Sequence, residues 1–162
     1  MTRITRWGWL AYGLAVMIVA LDQAAKGWIV GGLHLIPGLS LDVWGPLRLT
    51  LVRNTGVSFG LFHGDASWTR WALAGFSLAV AVVLAVWARR VARSLTALSV
   101  GLIMGGAVGN LIDRVRYGSV VDFIDVTRLH FPWVFNVGDS AITVGILLLL
   151  AENLLSPRAA PA

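Results

Sequence analysis

The sequence predicts an all-α membrane protein: four transmembrane helices with a small extracytoplasmic β-rich segment, forming a single domain over residues 1–162. Three observations predict it. The chain is 57% hydrophobic and only 13% charged, whereas soluble domains carry about 25% charged residues. Four separate stretches approach the roughly 20 apolar residues that a membrane-crossing helix needs. Those stretches use about half of the chain, and no remaining segment is long enough for a further domain of ordinary size.

The first span, residues 7–30, follows Arg3 and Arg6 and runs uncharged through Leu21. A basic start and an apolar core also describe a secretory signal peptide, but the small residues of a cleavage site should follow the core. Leu21-Asp22-Gln23-Ala24-Ala25-Lys26 puts an acid and an amide there instead, so the span is expected to be retained. Residues 31–67 form an outer segment in which Leu47, Leu49 and Leu51 alternate with Arg48 and Thr50, the period of a half-buried strand. The second span, 68–88, carries no charge from Trp71 to its end and is bracketed by Trp68, Trp71 and Trp87 as interfacial anchors.

In the third span, 95–112, Thr96, Ser99 and Asn110 are the polar side chains. Ala97, Gly101, Gly105 and Gly109 recur every fourth residue, a stripe for close helix packing. Continued by one turn, the row reaches Asp113, so whatever packs on it also lies beside Asn110, Asp113 and Arg114. A second outer segment covers 113–136. The last span, 138–155, keeps Asp139 and Glu152 towards its ends. Asn136 is placed as its N-cap, and Asp139 falls in the first turn, where free N–H groups and the helix dipole favour negative charge.

Four spans put both termini on one side, with a connector holding Arg89, Arg90 and Arg93. Arg3, Arg6 and Arg158 join them there, six basic residues against seven elsewhere. The density of the short connector makes this the cytoplasmic side.

Composition excludes several functions. No cysteine is present, which removes disulfides, thiolate metal sites and cysteine nucleophiles. No block of like charge exceeds Arg89-Arg90, which speaks against nucleic acid. His34, His63 and His130 lack the spacing of a metal site, and Ser58, Ser119 and Ser140 have no His or Lys in helical register. No cofactor is expected.

The acids carry the signal, since seven of eight fall near the outer face. Asp22 lies about 22 Å into the layer, at about 1.5 Å per residue from Trp7. Asp22 and Lys26 are one helical turn apart, which on spacing alone reads as an interfacial ion pair whose ends snorkel to water. Asp122 and Asp125 interrupt the apolar run Val120-Val121-Asp122-Phe123-Ile124-Asp125. Carboxylates embedded in such a run suit a pair that shares a proton across a substrate carbonyl. Spacing leaves open which of them partners Asp139. Arg53-Asn54-Thr55-Gly56 reads as turn chemistry or as polar contacts at a site. A proton-coupled transporter would want an acid near mid-span, and a non-catalytic scaffold would leave Asp122 and Asp139 without a purpose.

Together, Asp22-Gln23-Ala24-Ala25-Lys26, Arg53-Asn54-Thr55-Gly56, the block from Gly105-Gly106-Ala107-Val108-Gly109-Asn110 to Asp113-Arg114, Val121-Asp122-Phe123 and Phe135-Asn136-Val137-Gly138-Asp139 resemble the lipoprotein signal peptidases, or signal peptidase II. The resemblance implies an aspartic endopeptidase of the bacterial cytoplasmic (inner) membrane, acting at the extracytoplasmic surface. Such an enzyme removes the signal peptide of prolipoproteins by cutting before a diacylglyceryl-modified cysteine. It implies Asp122 and Asp139 as the catalytic pair, with Asp22, Lys26, Asn54, Asn110, Arg114 and Asn136 supporting the site or contacting substrate. Asp113 and Asp125 become structural neighbours. Implied partners are the lipid-modified precursor and membrane lipids, with the chain acting as a monomer. Gly138 stands where the family usually has alanine, and Val57-Ser58 where small alanines are usual.

Overall fold

The computed structural model describes residues 3–56 and 66–155; Val57, Ser58, His63 and Arg158, named above, lie outside them. Its four long helices are each apolar enough to cross a membrane: α1 (Arg6–Gly27), α2 (Ala66–Ala88), α3 (Ser94–Tyr117) and α4 (Val137–Leu155). Thr5 caps α1 by accepting from Gly8 N at 2.9 Å, and a π-helical turn, Trp28–Gly32, prolongs its C-terminal end. Thr5 also joins the N-terminal end of α1 to the arginine connector, its Oγ1 donating to the Val91 carbonyl at 2.7 Å and its N–H to the Arg89 carbonyl at 3.3 Å.

α3 is the centre of the bundle and packs against the other three helices. Its small-residue stripe is the reason α1 can approach so closely. A Cβ at Gly101 would lie 2.7 Å from the Ala11 carbonyl oxygen, and one at Gly105 would lie 2.8 Å from that of Ala15. Val16, Phe76, Val83 and Leu147 on the outer faces stay exposed, as lipid-facing residues should. α3 outlasts the apolar stretch 95–112 by five residues. It continues because Asp113 turns inward, and it stops at Gly118, whose φ of 75° lets its N–H close on the Arg114 carbonyl.

The β-rich segment is a four-stranded antiparallel sheet in sequential order: β1 (Ser40–Trp44), β2 (Leu47–Asn54), β3 (Val120–Asp125) and β4 (Val134–Phe135). The two outer segments therefore meet in one sheet, with Val52 opposite Asp122 and Asn54 opposite Val120. Successive strand residues face opposite ways. Val121 and Phe123 join Ile29 and Leu51 in an apolar cluster that seats the sheet on the end of α1, leaving Asp122 on the other face.

Candidate active site

Asp122 comes from β3 and Asp139 from the first turn of α4, and both line one cleft of about 760 Å³ whose walls include Asn54, Phe131, Trp133 and Val144. Three asparagines hold the two carboxyls. Asn54 Nδ2 donates to Asp122 Oδ2 at 2.9 Å and Asn136 Nδ2 to Asp122 Oδ1 at 2.7 Å. Asn110 Nδ2 donates to Asp139 Oδ1 at 2.8 Å. Asn136 is the expected N-cap: its Oδ1 accepts from Asp139 N at 2.8 Å while its own N–H reaches Asp139 Oδ2 at 3.3 Å.

The two carboxyls differ in setting. Asp122 is buried, and the donors it meets are neutral amides. Burial raises its pKa to about 6; the Asn54 hydrogen bond opposes the rise and the neighbouring charge of Asp139 adds to it. Asp139 is half-buried in the first turn of α4 and accepts from Asn110 Nδ2 and the Asn136 N–H. A carboxyl that keeps its proton in mildly acidic conditions thus stands beside a second, differently held carboxyl, the kind of pairing that acid–base chemistry uses.

Behind the cleft lies a buried ionic cluster, and here the snorkelling expected of Lys26 is overturned. Lys26 is 4% exposed, and its ammonium points inward, 2.7 Å from Asp22 Oδ2 and 3.0 Å from Asp113 Oδ2. It also donates to Asn110 Oδ1 at 3.1 Å. The reason is that α3 supplies an acid and an amide opposite it, so the charge is paired inside the fold rather than in water. Asp22 in turn accepts from Gly138 N at 2.9 Å, and Asp113 from Val121 N at 2.9 Å. The cluster therefore grips the residue immediately before each of Asp139 and Asp122. Gly109 makes the approach possible, since a Cβ there would lie 2.5 Å from Asp22 Oδ2.

The structure brings Asp22, Lys26, Asn54, Asn110 and Asn136 into this network. Arg114 stands apart. It donates to Ser77 Oγ at 3.4 Å from a groove between α2 and α4, and interacts with Asp139, Asp122 and Asp113 through its charge. Asp125 is buried but serves the sheet. Burial pushes its pKa up, yet hydrogen bonds from Thr50 and Thr127 together with the charge of Arg48 at 2.9 Å outweigh that and bring it down to about 2.

Sequence reasoning missed Gln23, which donates to Asp113 Oδ1 at 2.9 Å and to the Gly109 carbonyl at 3.2 Å. Its place between Asp22 and Lys26, on a helix facing the glycine stripe, was the available signal. Phe131 and Trp133, stacked edge to face at 5.0 Å, were missed as walls of the cleft because a loop carries no periodicity.

The signal peptidase (SPase) II family model matches residues 14–155. The chain is 57% identical over 154 residues to a lipoprotein signal peptidase of Caulobacter vibrioides, covering 94% of this chain and 91% of that one. It is 42% identical over 159 residues to one of Gloeobacter violaceus, covering 96% and 86%. A solved structure described as a bacterial membrane enzyme superposes with a TM-score of 0.80 at 27% identity, covering 97% of this chain and 99% of its own. With most of its length matched by that family and its relatives, the chain belongs to signal peptidase II, the aspartic peptidases that cleave signal peptides from prolipoproteins.

Proposed function

We propose that Asp122 and Asp139 are the catalytic pair, and that the bond they hydrolyse lies on the N-terminal side of a diacylglyceryl-modified cysteine. The observation that carries this reading is the convergence of two differently held carboxyls on one cleft at the sheet end of the bundle. Ionised Asp139 takes a proton from water as the oxygen attacks the scissile carbonyl, and protonated Asp122 donates to the carbonyl oxygen. The tetrahedral diol then collapses, with Asp122 recovering its proton and Asp139 giving its own to the departing amine. Asn54 and Asn136 orient Asp122. Asn110 orients Asp139, and Asp22 and Lys26 fix the backbone and the asparagine behind them. Arg114 contacts substrate from the α2–α4 groove.

The protein acts as a monomer in the bacterial inner membrane, surrounded by lipid, with both termini cytoplasmic and the cleft extracytoplasmic. The join between Thr5 and the arginine connector supports this by putting the N-terminus and three arginines at one end. The acyl chains of the substrate confine its scissile bond to the depth of the membrane surface, so lipid acts chiefly by orientation. Purified protein, given modified and unmodified precursors in the same bilayer at equal surface concentration, should cut the unmodified one at least about tenfold less efficiently. Equal rates would overturn recognition of the lipid.

A further inference from the structure

Near the sheet end of α3, Arg53 and Arg116 form no ion pair among the described residues. The Tyr117 ring is flanked by two guanidiniums, with Arg53 Cζ 5.4 Å and Arg116 Cζ 5.3 Å from its centroid. All three residues are exposed, and neither arginine has an acid within 4 Å among the described residues. Arg70 nearby is different, because its Nε and Nη2 close the end of α3 by donating to the Arg114 and Val115 carbonyls at 2.7 and 2.6 Å. Two cations held on one ring repel each other, and an anion between or beside them relieves that repulsion.

Beside Arg116 opens a pocket of about 370 Å³ walled by Gly27, Gly31, Arg116 and Tyr117, and it backs onto Gln23 and the Lys26–Asp113 ion pair of the buried cluster. Gly27 and Gly31 are one turn apart, and a Cβ at either would meet nothing within 4 Å, so a slot runs along the flank of α1. Exposed Trp28 lies on the same turn, the residue type that settles at headgroup level. The pocket is not the cleft described above. Asn54 donates to Asp122 while its strand neighbour Arg53 stands beside Tyr117, and both border a smaller cavity that also reaches Asp122.

We propose that Arg53, Tyr117 and Arg116 bind the phosphodiester of an anionic phospholipid in the leaflet at the sheet end of the bundle, with its glycerol and upper acyl chain in the slot at Gly27 and Gly31. The charge selects the lipid class. A phosphatidylglycerol headgroup brings one negative charge, whereas a phosphatidylcholine headgroup brings a quaternary ammonium against the two arginines. The site borders the Lys26–Asp113 cluster, but the proposal does not rest on the peptidase reading.

The test is native mass spectrometry of the full chain in detergent, titrated with phosphatidylglycerol or phosphatidylcholine of matched chain length, with glycerol phosphate as a competitor. Phosphatidylglycerol should be retained at least about tenfold more strongly than phosphatidylcholine, and Arg53→Gln and Arg116→Gln should each weaken it about fivefold. The double variant should lose the preference, and excess glycerol phosphate should fail to displace the lipid. Equal retention of the two lipids by the parent protein, a comparison that needs no variant, would overturn the proposal. So would a preference that survives in Arg53→Gln/Arg116→Gln, or displacement by glycerol phosphate, which marks a site for free anions.

Discussion

Replacing Lys26 with methionine keeps the reach of the side chain and removes its charge. The ammonium sits within 3.0 Å of both Asp22 and Asp113, and neither acid is exposed. Removing one partner of a buried pair costs about 3–5 kcal/mol, because the other charge is left uncompensated. Two carboxylates are stranded here, which places Lys26→Met near the upper end, about 5 kcal/mol. Asp113→Asn removes one of the stranded charges, so Lys26→Met/Asp113→Asn should be less destabilised than the sum of the single variants by at least about 2 kcal/mol. The assay is unfolding in mixed micelles titrated with SDS, followed by tryptophan fluorescence and circular dichroism. The same preparations are then assayed for cleavage while fully folded. Because the cluster holds Gly138 N and Val121 N, displacement of the adjacent aspartates by an ångström should lower kcat about 100-fold. A Lys26→Met variant within about 1 kcal/mol of the parent, or single effects that add within about 0.5 kcal/mol, would refute the role given to the cluster.

Asp122 is more basic folded than unfolded, at about 6 against 3.8, so the native state holds its proton more tightly and stability falls as pH rises from about 4 to about 6. Asp122→Asn removes that slope. At pH 8 it should be more stable than the parent by about 2 kcal/mol, the roughly 3 kcal/mol of the shift less about 1 for a lost amide contact, and a variant no more stable at pH 8 than at pH 4 relative to the parent would contradict it. Asp125 has the opposite sign: its contribution is present above about 4 and lost as pH falls towards about 2, so Asp125→Asn should weaken folding at neutral pH, as read by the same SDS titration. Gly109→Ala drives a Cβ onto Asp22 and should lower cleavage sharply, while Gly13→Ala, with nothing within 4 Å, should not; equal activities would dismiss the close approach. Reporter fusions after Arg93 should read cytoplasmic and fusions after Arg128 extracytoplasmic, and the reverse pattern would put the cleft on the wrong face.

Helix positions were legible because 18 or more apolar residues between tryptophans and arginines leave little choice in a bilayer. A close helix approach to α3 was legible in Gly101, Gly105 and Gly109, although not that α1 makes it, and the N-cap of α4 was legible in Asn136. Lys26 was misread because i,i+4 spacing reports only its own helix, whereas its direction is decided by Asp113 and Asn110 across the bundle. The choice between Asp122 and Asp125 was equally invisible to spacing. It depends on strand pairing, which turns Asp125 towards Arg48 and Thr50 and leaves Asp122 to the cleft.

The division of labour between Asp122 and Asp139 is tested most directly by single-turnover cleavage of a diacylglyceryl-cysteine precursor, with the cut located by mass spectrometry of both products. Asp122→Asn and Asp139→Asn keep the shape of the cleft but cannot exchange protons, so each should slow cleavage at least about 1000-fold. The double variant should be no slower than either, because the two act as a unit, and Asp125→Asn should stay within about tenfold of the parent on the same scale. Appreciable turnover by Asp122→Asn or Asp139→Asn, or a double variant whose loss is the product of the two, would contradict the assignment.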